Sequence, residues 1–123
     1  MQLTKTYHLA RLWIELTREL SRAGSPESHA QFGTRAGDLL LRAAIYVGTV
    51  EGRPLTAAKL ATYVGMSRPT VVRHLRALER GGMVVRNGRT WSTTKKLVER
   101  RRQQEFSQII RIVHNANERL KNR

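Results

Sequence analysis

The stretch MSRPTVVRHLRALERGGMVVRNGRTW, residues 66–91, restricts the fold of this chain more than any other feature. Ser67 followed by Pro69 is a helix start. A serine hydroxyl accepts from a free backbone N–H, and proline in the first turn lacks only an N–H that would go unbonded anyway. Gly81-Gly82 is a helix stop, because glycine enters the left-handed conformation at little cost. The spacing therefore predicts a helix capped by Ser67 and running to about Arg80. Met83–Val85 and Thr90–Ser92 then read as two short strands, with Asn87-Gly88 as the two-residue turn between them. Six arginines fall in this stretch, and four of them lie on the expected helix.

The chain of 123 residues has the size of one domain. Residues 1–22 predict an amphipathic helix, with Leu9, Leu12, Trp13, Leu16 and Leu20 on one stripe and Glu15 and Glu19 among arginines on the other. Ala23–Gly33, with its Gly, Ser and Pro, reads as a loop. Thr34–Val50 is so apolar that a helix buried on most sides is expected. Gly52 and Pro54 break the chain, Thr56 caps a helix over Ala57–Tyr63, and Gly65 ends it. From about Thr93 a single long helix is expected, with Phe106, Ile109, Ile110, Val113, Ala116 (or Asn117) and Leu120 near a heptad stripe.

The charge points to a polyanion. The formal net charge is +14, from 23 basic and 9 acidic residues, and the segment Arg68–Arg102 alone carries eleven basic and two acidic residues. Such an excess repels itself unless a partner such as nucleic acid neutralises it. On the expected helix, Val71, Leu75 and Leu78 share one face. Arg73, Arg76 and Arg80 share the opposite face, within about 60° of each other at roughly 100° per residue. A helix with an apolar back and an arginine front suits a major groove. Its N-terminal residues reach deepest, so Arg68, Pro69, Thr70, Arg73 and His74 are the candidates for base edges. Ser67, Arg76, Arg80, Arg100 and Arg101 are candidates for the phosphate backbone. Arg86, Asn87, Gly88 and Arg89 form the hairpin tip that would enter a minor groove or touch its phosphates. The plainer reading, a solvated arginine face, is weighed against this by the coincidence of helix, tip and charge.

A helix, a turn at Val64-Gly65-Met66, a second helix and a hairpin make a winged helix-turn-helix. The fold expected is mainly α with a small β-hairpin wing, spanning 1–123 as a single winged-helix domain. Residues 34–92 form its DNA-binding lobe, and residues 1–22 and 93–121 form N- and C-terminal dimerisation helices. The segment PLTAAKLATYVGMSRPTVVRHLRALERGGMVVRNGRTWSTT resembles the winged-helix domain of bacterial transcription regulators, most similar to the multiple-antibiotic-resistance regulator (MarR) family. The family pattern is matched at Thr56, Leu60, Ala61, Val64, Gly65, Ser67, Thr70, Val71, Arg73, Leu75, Leu78, Glu79, Gly82 and Val84. The wing VVRNGRTW is shorter than that family's and lacks its Asp-x-Arg element, which leaves IclR- and ArsR-type relatives in view. The resemblance implies base readers at Arg68, Thr70 and Arg73. It also implies a small-molecule effector pocket between the dimer helices and the DNA-binding lobe, for which Tyr7, Trp13, Tyr46 and Trp91 are aromatic candidates that read first as core residues.

One reading helix in one groove gives limited specificity, and two-fold symmetry doubles it. A homodimer is expected through Leu9, Leu12, Trp13, Leu16, Phe106, Ile109, Ile110, Val113 and Leu120. The alternative is that these two helices pack on each other within one chain. The function expected is a double-stranded DNA-binding transcription regulator, a dimeric repressor reading a pseudo-palindromic operator. An architectural or replication-related DNA-binding protein and a protein-interaction module stand as alternatives. Enzymatic activity is not expected. Asp38 is the sole aspartate, and neither a nucleophile elbow nor a phosphate loop nor a dinucleotide fingerprint occurs. No cofactor and no metal are expected, since the four histidines lack metal-ligand spacing and there is no cysteine. No stretch has the length of a membrane-spanning helix, and residues 1–20 lack the continuous apolar run of a leader. A soluble, cytoplasmic, nucleoid-associated bacterial protein is expected.

Overall fold

The computed structural model describes residues 5–23, 32–103 and 106–121. Its elements in chain order are α1 (Lys5–Ala23), α2 (Phe32–Val50), β1 (Leu55–Thr56), α3 (Ala57–Val64), α4 (Arg68–Arg80), β2 (Val84–Asn87), β3 (Thr90–Thr93), α5 (Lys95–Arg102) and α6 (Ser107–Lys121). The chain divides into two compact units. One is Ala36–Gln104; the other joins Met1–Arg35 to Glu105–Arg123.

In the unit Ala36–Gln104 the core is built by Leu41, Ala44 and Ile45 of α2, Leu60 and Ala61 of α3, Val71, Leu75 and Leu78 of α4, Val84 of β2 and Trp91 of β3. Fully burying a Leu, Ile or Val side chain contributes about 1.5–3 kcal/mol. The five largest wholly enclosed side chains, Leu41, Ile45, Leu60, Leu75 and Val71, therefore fix how the three helices meet. The sheet order is β1-β3-β2, antiparallel throughout, with Leu55 opposite Trp91 and Val84 opposite Thr93. The third strand, β1, was not foreseen. Two residues are too few to show a period, and they pair only because Leu55 meets Trp91.

Two expectations about α2 are corrected. The helix begins at Phe32, two residues before Thr34, inside the expected loop Ala23–Gly33; residues 24–31 of that loop and residues 1–4 of the expected first helix lie outside the described residues. Nor is α2 buried on most sides. Leu41, Ala44, Ile45 and Gly48 are enclosed, while Leu40, Ala43, Val47 and Val50 are exposed on the opposite face. Apolarity all round a helix sets what it can bury, and the neighbours present decide which face they take.

The single helix expected from Thr93 is also corrected. The Thr94 hydroxyl caps α5 by accepting from the Leu97 amide at 3.4 Å, and α5 ends at Arg102. Phe106 then takes a left-handed φ of 50°, and α6 starts with the Ile110 amide bonded to the Phe106 carbonyl at 3.0 Å. Residues of α5 include none that is buried. A short polar helix without an apolar stripe lacks the packing that would carry it through a break.

In the other unit α1 packs on α6. His8 and Ala116 are its buried described residues, and the His8 ring meets Tyr7 edge-on with centroids 5.3 Å apart. On α1 the Arg11 Nε donates to Glu15 Oε1 at 2.7 Å, a bond that holds the guanidinium still more firmly protonated.

Candidate nucleic-acid interface

The helix-turn-helix is set by local chemistry. Thr56 caps α3 by accepting from the Lys59 amide at 3.2 Å. Gly65 closes α3 at φ 74° and ψ 34°, and the amides of Gly65 and Met66 both bond to the Ala61 carbonyl. A residue with a Cβ would be strained there. Ser67 caps α4, its hydroxyl accepting from the Thr70 amide at 3.4 Å and bonding Thr70 Oγ1 at 2.8 Å. Gly82, at φ 74°, turns the chain out of α4 into β2. Both helices keep the bounds their caps predict, within one residue.

This geometry presents the arginines. Val71, Leu75 and Leu78 are buried behind α4, whereas Arg68, Pro69, Arg73, Arg76 and Arg80 are exposed and Thr70 is half-buried. None of these arginines is ion-paired to another described residue. Four guanidinium groups on one helix against the single carboxylate of Glu79 form a positive field suited to an external anion.

The hairpin differs from its expected register. The pairs are Asn87 with Thr90 and Arg86 with Trp91, so the two-residue turn is Gly88-Arg89 and not Asn87-Gly88. Gly88 takes φ 65°, which its position at the first turn residue requires. The expected turn would set Arg86 directly opposite Arg89, two like charges across the ladder. In the observed register Arg86 lies beside Trp91, its guanidinium carbon 6.0 Å from the ring centroid, and its Nε donates to the Gly88 carbonyl at 2.9 Å. Arg86 thus braces the tip, and Arg89 at the apex is exposed.

Behind α4 stands a polar cluster that sequence reasoning missed. His74 is half-buried, and its Nδ1 lies 3.6 Å from Asp38 Oδ1 of α2. Arg42, one turn along α2, brings Nη1 to 3.8 Å from Asp38 Oδ2. The single carboxylate on the largely apolar α2 was the available signal. Farther along α2, the Thr49 hydroxyl donates to the Ile45 carbonyl at 2.8 Å and accepts from the Thr93 amide of β3 at 2.9 Å. Of the α5 residues, Arg100 is exposed, Arg101 is half-buried, and Arg102 pairs with Glu99 at 3.5 Å.

Elsewhere, Trp91 belongs to the core and Tyr46 is half-buried, while Tyr7 and Trp13 are exposed. A groove of about 600 Å³ is lined by Val47, Leu55, Ala58 and Tyr63 together with Glu51, Arg53 and Lys59, and none of the four aromatic candidates enters it. Of the dimer candidates, Leu9, Trp13, Phe106, Ile110 and Val113 are exposed, whereas Leu12, Leu16, Ile109 and Leu120 are half-buried. Among the described residues no three His, Asp or Glu side chains are grouped to hold a metal, and no helix is long and apolar enough to cross a membrane.

With the turn, the capped reading helix and the hairpin in place, comparison with known proteins is direct. The family described as the Crp-like helix-turn-helix domain matches residues 34–100. The chain belongs to this family. The Crp-like match spans α2 to α5, and α1 and α6 lie outside it. No curated protein matches the chain. Solved structures with a similar fold include MepR of Staphylococcus aureus, a transcription regulator of the multidrug efflux pump MepA. It is 19% identical with a TM-score of 0.52 over 97% of this chain and 83% of that one. The Mycobacterium tuberculosis MarR family protein Rv2887 is 24% identical, with a TM-score of 0.50 over 93% and 76%. A variant of MepR is 18% identical, with a TM-score of 0.54 over 98% of each chain. The fold of this Crp-like domain and its flanking helices is therefore the MarR-like winged helix.

Proposed function

We propose that the chain is a sequence-specific double-stranded DNA-binding transcription regulator, acting as a dimeric repressor on a pseudo-palindromic operator in the bacterial cytoplasm. The observation that carries the reading is the exposed arginine face of α4, which is not ion-paired to any described residue, is anchored from behind by Val71, Leu75 and Leu78 and is flanked by Arg89 at the hairpin apex. Arg68, Pro69, Thr70 and Arg73, in the first turns of α4, are the base readers, because only the N-terminal part of such a helix reaches the groove floor. Ser67, Arg76, Arg80, Arg100 and Arg101 meet phosphate, and the tip residues Gly88 and Arg89 reach the adjoining minor groove. The similar fold of MepR, a transcription regulator, supports the assignment. The exposed Leu9, Trp13, Ile110 and Val113 support a two-fold partner for the α1–α6 unit.

Selection of the chain against a random duplex pool near physiological salt tests this. An enriched inverted repeat, with half-sites about 34–36 Å apart, is the expected result. Retention with no enriched motif would replace it with an architectural role. Failure to retain duplex at low salt would replace it with a protein-binding module.

A further inference from the structure

Asp38 and Thr49 lie eleven residues apart on α2. At roughly 100° and 1.5 Å per residue, that places them about 20° apart around the helix and about 16 Å apart along it. Both therefore face the same way, and each reaches a different part of the grip on DNA. Asp38 meets His74 of α4 at 3.6 Å; Thr49 takes the Thr93 amide at the root of the hairpin at 2.9 Å. Between them the same side of α2 carries the enclosed Leu41 and Ile45, and Arg42, which approaches Asp38.

We propose that α2 is the strut that sets the reading helix and the hairpin in register with one duplex, with Asp38 and Thr49 as its positioning residues and His74 as the group on α4 that Asp38 holds. The inference deepens the DNA-binding reading above and rests on it. His74 lies too near the apolar back of α4 to share the front with Arg73: at about 100° per residue it sits roughly 60° from Val71 and 100° from Arg73. Its Nδ1 is turned to a carboxylate that Arg42 also approaches, at 3.8 Å. A helix held by its core alone can roll by small angles on side chains without directional contacts. A polar pair at one end fixes that roll, and the roll decides which base edge Arg73 meets. The Thr49 bond acts at the other end. Thr93 is the last residue of β3, opposite Val84, and the partner of its amide is a side chain already tied to its own helix at the Ile45 carbonyl.

The test uses the full chain with four variants: Asp38→Ala, His74→Phe, their combination, and Thr49→Val. Alanine favours helix, phenylalanine keeps a planar ring, and valine removes the Thr49 hydroxyl at nearly constant volume; thermal unfolding of each variant checks that it folds. Binding is measured to the enriched duplex and to a scrambled one across a salt series. Asp38→Ala and His74→Phe are each expected to lower discrimination between the duplexes about three- to tenfold, and the double variant no more than the larger single. Their salt slopes should match wild type. Thr49→Val is expected to leave discrimination unchanged and to flatten the salt slope by about one phosphate contact, roughly 0.9 in log–log units. Additive losses for Asp38 and His74 would overturn the strut, as would lowered melting with unchanged discrimination. Loss of a single base position in His74→Phe alone would make His74 a reader and overturn it too. If wild type discriminates no duplex, the DNA-binding reading fails instead. The strut then stands or falls on whether Asp38→Ala and His74→Phe are coupled or additive in thermal unfolding.

Discussion

The unit Ala36–Gln104 and the unit of α1 and α6 place their apolar side chains in opposite ways. In the first, ten residues from three helices and two strands close into a core, and the arginines of α4 face out. In the second, the described buried residues are His8 and Ala116, while Trp13, Ile14, Ile110 and Val113 face solvent. The first closes a core within itself, although Leu40, Val50 and Tyr63 stay exposed. Two helices of fifteen to nineteen residues, by contrast, cannot enclose both of their apolar stripes against each other alone. Sequence similarity follows the same division, since the family match covers α2 to α5 and stops short of α6.

Mutations can break this contrast. Leu75→Ala empties a wholly buried position and should destabilise the Ala36–Gln104 unit by about 2–5 kcal/mol, read as a fall in melting temperature. A loss below ~1 kcal/mol would mean that the core is not close-packed. Ile110→Glu with Val113→Glu changes exposed positions. Folding stability should stay within about 0.5 kcal/mol, while light scattering shows monomers and operator affinity drops about 10²-fold. A dimer that survives both glutamates would assign the exposed face of α6 to another purpose. Arg73→Ala should cost about 1–3 kcal/mol and relax preference at one base position. Uniform weakening across sequences would remove Arg73 from the readers. Ser67→Ala takes away the α4 cap and should cost about 1 kcal/mol in thermal stability. Arg89→Ala should have the smallest effect, an even weakening of all duplexes with a salt slope shallower by about 0.9.

The parts that were legible in the sequence are those decided within a few residues. Ser67, Thr56, Gly65 and Gly82 each satisfy or release their own backbone, so the ends of α3 and α4 were readable. The arginine front and apolar back of α4 follow from helical periodicity alone. What failed depends on distant partners. Asn87-Gly88 is a good turn in isolation, yet the register is set by Trp91, which must meet Leu55 across one ladder and Arg86 across the other. Which face of α2 would be buried depended on α3, α4 and the sheet, and its composition could not rank Leu41 above Leu40. The contacts Asp38–His74 and Thr49–Thr93 join residues far apart in the chain; the lone aspartate of α2 signals a need for a partner without saying which. The helix expected to continue from Thr93 failed for a different reason. Phe106 adopts a left-handed backbone that its residue type disfavours.

The two tryptophans fall one to each unit. Trp91 is 7% exposed with a guanidinium near its ring, and Trp13 is 64% exposed. The chain therefore carries its own pair of fluorophores, one dry and one wet. Unfolding of the Ala36–Gln104 unit should move the Trp91 emission to the red. Association through α1 should move the Trp13 emission to the blue. Replacing either by phenylalanine leaves a single-colour reporter for the other, so the fate of each unit can be followed by emission without an added label.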